Sequence, residues 1–440
     1  MTESRSRPSP RSSPSADAVK ITDQKLQVFY PEVYDDKERA AVDALRREVE
    51  HSGGVGPAAD RTEKASLATM LDYARLWNPY DPLYNDPEYA AVTRWGRLPA
   101  LPCYIFEENI SGFPMMDDIG DELGNVFYYA NDGGDIELFR PVYDGDVITM
   151  KSVKQELRDV TPPEGDTLRQ FSLYGEAEMR DADGNLVGKG KGYGRNAMMR
   201  ILEGYVPTEL EQTYEWLDNI PPVHITTEAE WERIRTLWKN ERVRGAKTLY
   251  WEDVNIGDEP IPTCSGPVSD MDMIRLHGAM IRSMPDARGF MEMGEELMTD
   301  AYGQKLHFVA RHYSYCRVPG ARAVFYNFTA RNFLMRMVTN WMGDDGFICS
   351  FKWRFQNLFE CMSKNEPGRD ILAKVPYMRG RYVNRHGMEG DTAVCRGYVT
   401  DKYKKDGKAL ADLSCWAETL DGDVIQVMEF TVELPCRQED

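Results

Sequence analysis

Two stretches of the chain repeat one grammar, and that recurrence limits the possible folds more than any other feature. Glu178 to Lys189 reads as a strand, a tight Asp183-Gly184 turn and a second strand, the local signature of a β-hairpin. Cys415 to Val432 repeats it around Asp421-Gly422. Another matching pair, Arg94 to Tyr104 and Tyr315 to Phe325, falls at corresponding places in the two half-chains. A duplicated α+β unit accounts for both coincidences. The 440 residues then divide into a tail (1–18), a first unit (19–207), a connector (208–248) and a second unit (249–440). The tail is rich in Pro, Ser and Arg, so burial cannot offset its ordering entropy and disorder is expected. It has no apolar stretch of the secretory kind, and its prolines spoil the amphipathic helix of a transit peptide.

Within that frame the local signals are specific. In the connector, Thr227 to Glu230 forms a capping-box pattern, Trp231, Ile234 and Trp238 fall on one helical face, and Gly245 is placed to end the helix. In the second unit, Ala321 to Trp341 carries Phe325, Phe328, Met335, Val338 and Trp341 at helical spacing, which predicts a long helix with one buried stripe. Pro319-Gly320 precedes it, Gly343 to Gly346 turns after it, and Phe347 to Phe355 reads as a strand. The glycines of Gly188 to Gly194 alternate with period two, which predicts a strand with one bare face and not a phosphate loop.

Composition removes several classes of function. The net charge of -19 repels phosphate backbones, so nucleic acid is not an expected partner. No apolar run approaches the ~18 residues of a membrane span, so no membrane partner is expected either. The eight cysteines are dispersed, with no Cys-x-x-Cys pair, which suggests neither a disulfide framework nor a zinc site and points to a reducing cytoplasm. Walker, zincin and nucleophile-elbow motifs are absent.

Several segments together resemble the double hot-dog proteins of the MaoC-like hydratase/dehydratase family. They are Tyr73 to Ala90, Phe139 to Asp146, Trp251 to Asp258, Gly266 to Ala279 and Val338 to Gly346, and the resemblance covers most of residues 65–435. It implies a tandem hot-dog fold in which two antiparallel sheets each wrap a long central helix. It also implies addition or removal of water at the double bond of an acyl-CoA thioester, with coenzyme A as part of the substrate and no other cofactor or metal. That reaction needs an acid and base that orient one water, and a dipole for the enolate oxygen. The family carries an Asp and a His spaced as Asp-x-Asn-Pro-x-His, with an oxyanion site at the start of the central helix.

The first unit departs from this pattern, because Pro79 stands at the Asp position and Tyr84 at the His position. The resemblance therefore puts the chemistry in the second unit. Alignment on the turn before the central helix places His307 at the histidine position, with Asp300 or Tyr302 as its partner and Gln304-Lys305 replacing Asn-Pro. Asp272 and His277 form a rival dyad by spacing alone, though His277 also fits packing beside Ile274 and Leu276. Gly320 and Ala321 are the oxyanion candidates, since glycine permits close approach and the following helix adds positive potential. Arg317, Arg322 and His312 are candidate contacts for the coenzyme phosphates, within an arginine run that includes Arg311, Arg331 and Arg336. The methionines between 271 and 298 suit an adaptable acyl pocket or plain core filling. Two other readings remain open: a non-catalytic acyl-thioester-binding or partner subunit, and a thioesterase. The two units are expected to pair within one chain, and a homodimer is a further expectation.

Overall fold

The computed structural model describes residues 26–28, 61–104, 125–159, 169–201, 224–269, 298–299, 305–306, 327–354, 387 and 390–437. One continuous antiparallel sheet organises them. The first half supplies β1 (Leu26–Val28), β2 (Arg61–Lys64), β3 (Asn125–Leu138), β4 (Val147–Asp159), β5 (Arg169–Arg180) and β6 (Leu186–Ile201). The second supplies β7 (Thr263–Ser265), β10 (Phe347–Arg354), β11 (Ala393–Lys405), β12 (Lys408–Glu418) and β13 (Val424–Glu433), while β8 (Met298–Thr299) and β9 (Lys305–Leu306) form a separate pair. The order across the sheet is β2-β4-β5-β6-β3-β10-β13-β12-β11-β7, with β1 on β6. The two expected sheets therefore meet edge to edge through β3 and β10, from Ser350 opposite Glu137 to Arg354 opposite Gly133. Edge pairing leaves neither half with an open inner edge.

The duplication read from the sequence is present in atomic detail. In the β5–β6 turn, the Asp181 amide donates to Asn185 O and the Gly184 amide to Asp181 O, both at 2.9 Å. In the β12–β13 turn, the Thr419 amide donates to Asp423 O at 2.8 Å and the Gly422 amide to Thr419 O at 2.9 Å. In each, the first residue's side-chain oxygen accepts the amide four residues on, from Asn185 to Asp181 at 2.9 Å and from Asp423 to Thr419 at 3.2 Å. Gly184 and Gly422 sit at φ +83° and +92°, which only glycine adopts without strain. The Gly188 to Gly194 stretch lies within β6, as the period-two reading predicts.

Among the described residues, five α-helices accompany the sheet: α1 (Leu67–Trp77), α2 (Pro82–Asn85), α3 (Pro87–Ala91), α4 (Glu228–Asn240) and α5 (Asn327–Met342). In the connector helix α4 the capping box is formed, with the Thr227 amide 2.7 Å from Glu230 Oε2 and the Glu230 amide 3.3 Å from Thr227 Oγ1. Its end differs from expectation. The helix stops at Asn240 and not at Gly245, because Glu241 turns to an extended backbone and sends its carboxylate to α5.

The long helix α5 packs on β7, β10, β11, β12 and β13, which makes it the central helix of the second hot-dog unit. A single buried stripe was expected there, yet every residue from 331 to 342 is buried. The stripe failed as a prediction because the first half covers the side of α5 that would otherwise face water. A helix enclosed all round must satisfy its polar side chains internally, and Arg331, Asn332, Arg336, Thr339 and Asn340 all lie within it. The architecture is an α+β tandem hot-dog.

Candidate functional site

The family-like motif of the first half folds into a compact loop for local reasons. Helix α1 is capped by Ser66, whose hydroxyl accepts the Thr69 amide at 3.3 Å, and it ends at Asn78 before Pro79. Asp81-Pro82 and Asp86-Pro87 then each start a short helix with an aspartate N-cap and proline at the first turn. Asp81 accepts the Leu83 amide at 3.0 Å, and Asp86 accepts the Glu88 and Tyr89 amides at 2.9 and 3.2 Å. The Asn85 carboxamide ties the loop together by donating to Asn78 O and Asp81 O, both at 2.8 Å.

This loop docks on the far half. The Tyr73 hydroxyl donates to Asn332 Oδ1 at 3.1 Å, and Asn78 Nδ2 donates to Thr339 Oγ1 and Asn340 Oδ1, both at 3.1 Å. The Tyr89 hydroxyl donates to Asp344 Oδ2 at 2.6 Å, and Trp95 Nε1 donates to Asp344 O at 2.7 Å. From the connector, Glu241 Oε1 accepts Arg336 Nε at 2.7 Å and Asn340 Nδ2 at 3.0 Å. The end of α5 is thus held from two sides.

The seam carries unbalanced negative charge. Asp81 and Asp344 are 3% and 4% exposed, and neither has a cation partner among the described residues. Burial pushes the Asp81 carboxyl up to about 7, with Asp344 raising it further and the Leu83 amide opposing. Burial likewise raises Asp344, against the donated Tyr89 hydroxyl, and Tyr89 itself is pushed up to about 12. Tyr84 is 4% exposed and its phenol is pushed well above the usual range, first by burial and then by the two aspartates. A phenol in that state does not accept a proton near neutrality. Beside it lies a cavity of about 30 Å³ lined by Leu83, Tyr84, Leu138, Val142, Met342 and Phe347, among others. That is room on the order of one or two waters.

The candidates named for the second half, Asp272, His277, Asp300, Tyr302, His307, His312, Arg317, Gly320, Ala321 and Arg322, all lie outside the described residues. Two members of the arginine run are described, and they are not a phosphate rim. Arg331 is fully buried with its guanidinium 4.9 Å from the Trp353 ring, and Arg336 is buried against Glu241 and over Tyr80. Their helix is enclosed, so their charge faces protein. Sequence reasoning missed Asn78, Tyr89, Glu241 and Asp344 as seam residues. Their partners are up to 262 positions distant, and no local pattern encodes a pairing of that range. Among the described residues, no group of three or more His, Cys, Asp or Glu is arranged for a metal, and no helix is long and apolar enough to cross a membrane.

Fold and seam together define a tandem hot-dog protein whose first motif has become an internal contact. Residues 63–189 match the family model described as FAS1-like, dehydratase domain region. Among curated proteins none matches this chain. Similar solved structures include a MaoC-like dehydratase at 13% identity and TM-score 0.49, covering 86% of this chain and 97% of that one. A Mycobacterium tuberculosis protein with a double hotdog fold is 12% identical at TM-score 0.45, covering 85% and 93%. A MaoC-like dehydratase from Phytophthora capsici is 12% identical at TM-score 0.41, covering 90% and 99%.

Proposed function

We propose that the chain is a hydratase/dehydratase acting at the double bond of an acyl-CoA thioester, with its chemistry in the second half. His307 moves the proton, Asp300 or Tyr302 orients the water, and the amides of Gly320 and Ala321 hold the enolate oxygen. Asp272 and His277 are the rival dyad. Arg317, Arg322 and His312 contact the coenzyme phosphates. The setting is cytoplasmic, and the reaction needs no cofactor beyond the coenzyme carried by the substrate.

The observation that carries this reading is the dehydratase-region match over residues 63–189, set on a tandem fold in which Tyr84 of the first-half motif is buried. The buried Tyr84 beside a small cavity supports placing the chemistry in the other half. The test is a panel of trans-2-enoyl-CoA esters assayed with wild type, His307→Ala and His277→Ala. Enoyl absorbance should fall without free thiol, and His307→Ala should lower turnover by about 10²-fold or more. Loss in His277→Ala alone moves the dyad to Asp272 and His277. Free thiol release would make the chain a thioesterase, and binding with neither signal would make it a non-catalytic subunit.

A further inference from the structure

One of the two buried carboxylates of the seam lies under a segment that little else holds down. Residues 86–97 run over the surface between two anchored points. At the entry the Asn85 carboxamide donates to Asn78 O and Asp81 O, and at the exit the Ala100 amide donates to Val142 O at 2.8 Å. Between them only Ala90 is buried. The helix within this stretch, α3, has five residues, far short of the ~12 that an isolated helix needs to persist in water. The segment is therefore a strap, kept in place by what it touches.

It touches the second half at Asp344. The Tyr89 hydroxyl donates to the Asp344 carboxylate at 2.6 Å, Trp95 Nε1 donates to Asp344 O at 2.7 Å, and the Trp95 ring lies 6.1 Å from that of Phe347. Asp344 is fixed from the other side. Its amide donates to Gly245 O at 3.1 Å, and at neighbouring Gly343 a Cβ would stand 2.9 Å from the Arg244 side chain and 3.0 Å from Gly245 O. One partner in the contact is packed rigidly, and the other lies on the surface.

The charges around Asp344 leave it unneutralised. From the strap come Tyr89, the exposed Asp86 and Glu88, and Arg94 and Arg97, whose guanidinium groups lie over the Trp95 and Tyr143 rings at 4.1 and 3.8 Å. The loop before it brings Asp81 and Tyr84. On the same turn Asp345 accepts the Thr248 hydroxyl at 2.6 Å, while Arg244 of the connector donates to Trp341 O and Arg336 of α5 pairs with Glu241. Burial raises the Asp344 carboxyl against the Tyr89 hydroxyl, with Asp345 adding to it, and Asp344 in turn adds to the rise at Asp81.

We propose that residues 86–97 are a proton-operated strap, closed over the end of α5 when the Asp344 carboxyl is protonated and lifted when that proton is released to water. Lifting hydrates Asp344 and draws Trp95 off the cavity that it lines with Leu138, Met342 and Phe347. A hydrated carboxyl returns toward its ordinary range and gives up its proton, so opening is coupled to deprotonation. Closure is then strongest in acid and weakens as pH rises, by at most tenfold per pH unit for one proton. This device does not depend on which reaction the chain catalyses.

The test is hydrogen exchange read by mass spectrometry on the full chain at pH 5, 6, 7 and 8, with each rate divided by its intrinsic chemical rate. In wild type the strap amides should exchange well ahead of those in β12, and their protection should fall from pH 5 to 8. Asp344→Asn keeps an oxygen for the Tyr89 hydroxyl and should flatten that fall to within about threefold. Tyr89→Phe removes the hydroxyl pin and should lower strap protection by about tenfold at pH 5, with β12 still the slower to exchange. Strap and β12 exchanging together in wild type, an equally steep fall in Asp344→Asn, or wild-type protection in Tyr89→Phe would each overturn the proposal.

Discussion

Replacing Asp81 by Asn should make the protein more stable at pH 8 and leave it unchanged near pH 4. The folded carboxyl is held at about 7 against 3.8 for the free side chain, chiefly by burial, with the Asp344 charge adding to it. Below pH 4 both states carry the proton and the group contributes nothing. Between pH 4 and 7 the unfolded chain has released its proton while the folded one keeps it, so stability falls as pH rises. Above 7 both are ionised and the loss is complete. A gap of about three pH units corresponds to a cost on the order of 4 kcal/mol. Asparagine keeps an oxygen for the Leu83 amide, and as an N-cap it ranks with aspartate, so the cap survives while the charge goes. Urea unfolding followed by circular dichroism at pH 4, 5, 6, 7 and 8, in wild type and variant, isolates this group with its coupling to Asp344, because uncoupled groups cancel in the difference. The two curves should separate progressively from pH 5 to 7. Parallel curves, or a variant weaker than wild type at pH 8, would refute the claim that an unpaired charge is forced into the seam.

Glu241→Ala should cost about 3–5 kcal/mol, since it strands Arg336 where side-chain exposure is only 10%, and a matched Arg336→Met change on that background should recover part of the loss in thermal melts. Gly134→Ala should be destabilising by about 1–3 kcal/mol, because a methyl there would stand 2.5 Å or less from the Trp353 ring; reduced near-ultraviolet ellipticity would accompany the lowered Tm.

How much of this was legible beforehand depended on the range of the interaction that decides each feature. The twin turns at Gly184 and Gly422 and the capping box at Thr227 are set by residues within four positions of one another, and all three stand as the sequence pattern predicts. The end of α4 was misplaced at Gly245 because Glu241 answers to Arg336 and Asn340, nearly a hundred residues onward. The enclosure of α5 was missed for the same reason: its hydrophobic residues do recur at helical spacing, but the covering loop comes from the other repeat.

The departure at Pro79 and Tyr84 gains a physical meaning from the seam. The motif loop of the first half lies against the central helix of the second and must fill that space. At that contact Asn78 bonds to Thr339 and Asn340, and Tyr89 bonds to Asp344. The cost is two buried carboxylates without a cation among the described residues. Removal of one of them by Asp81→Asn is therefore predicted to strengthen the contact and not to break it.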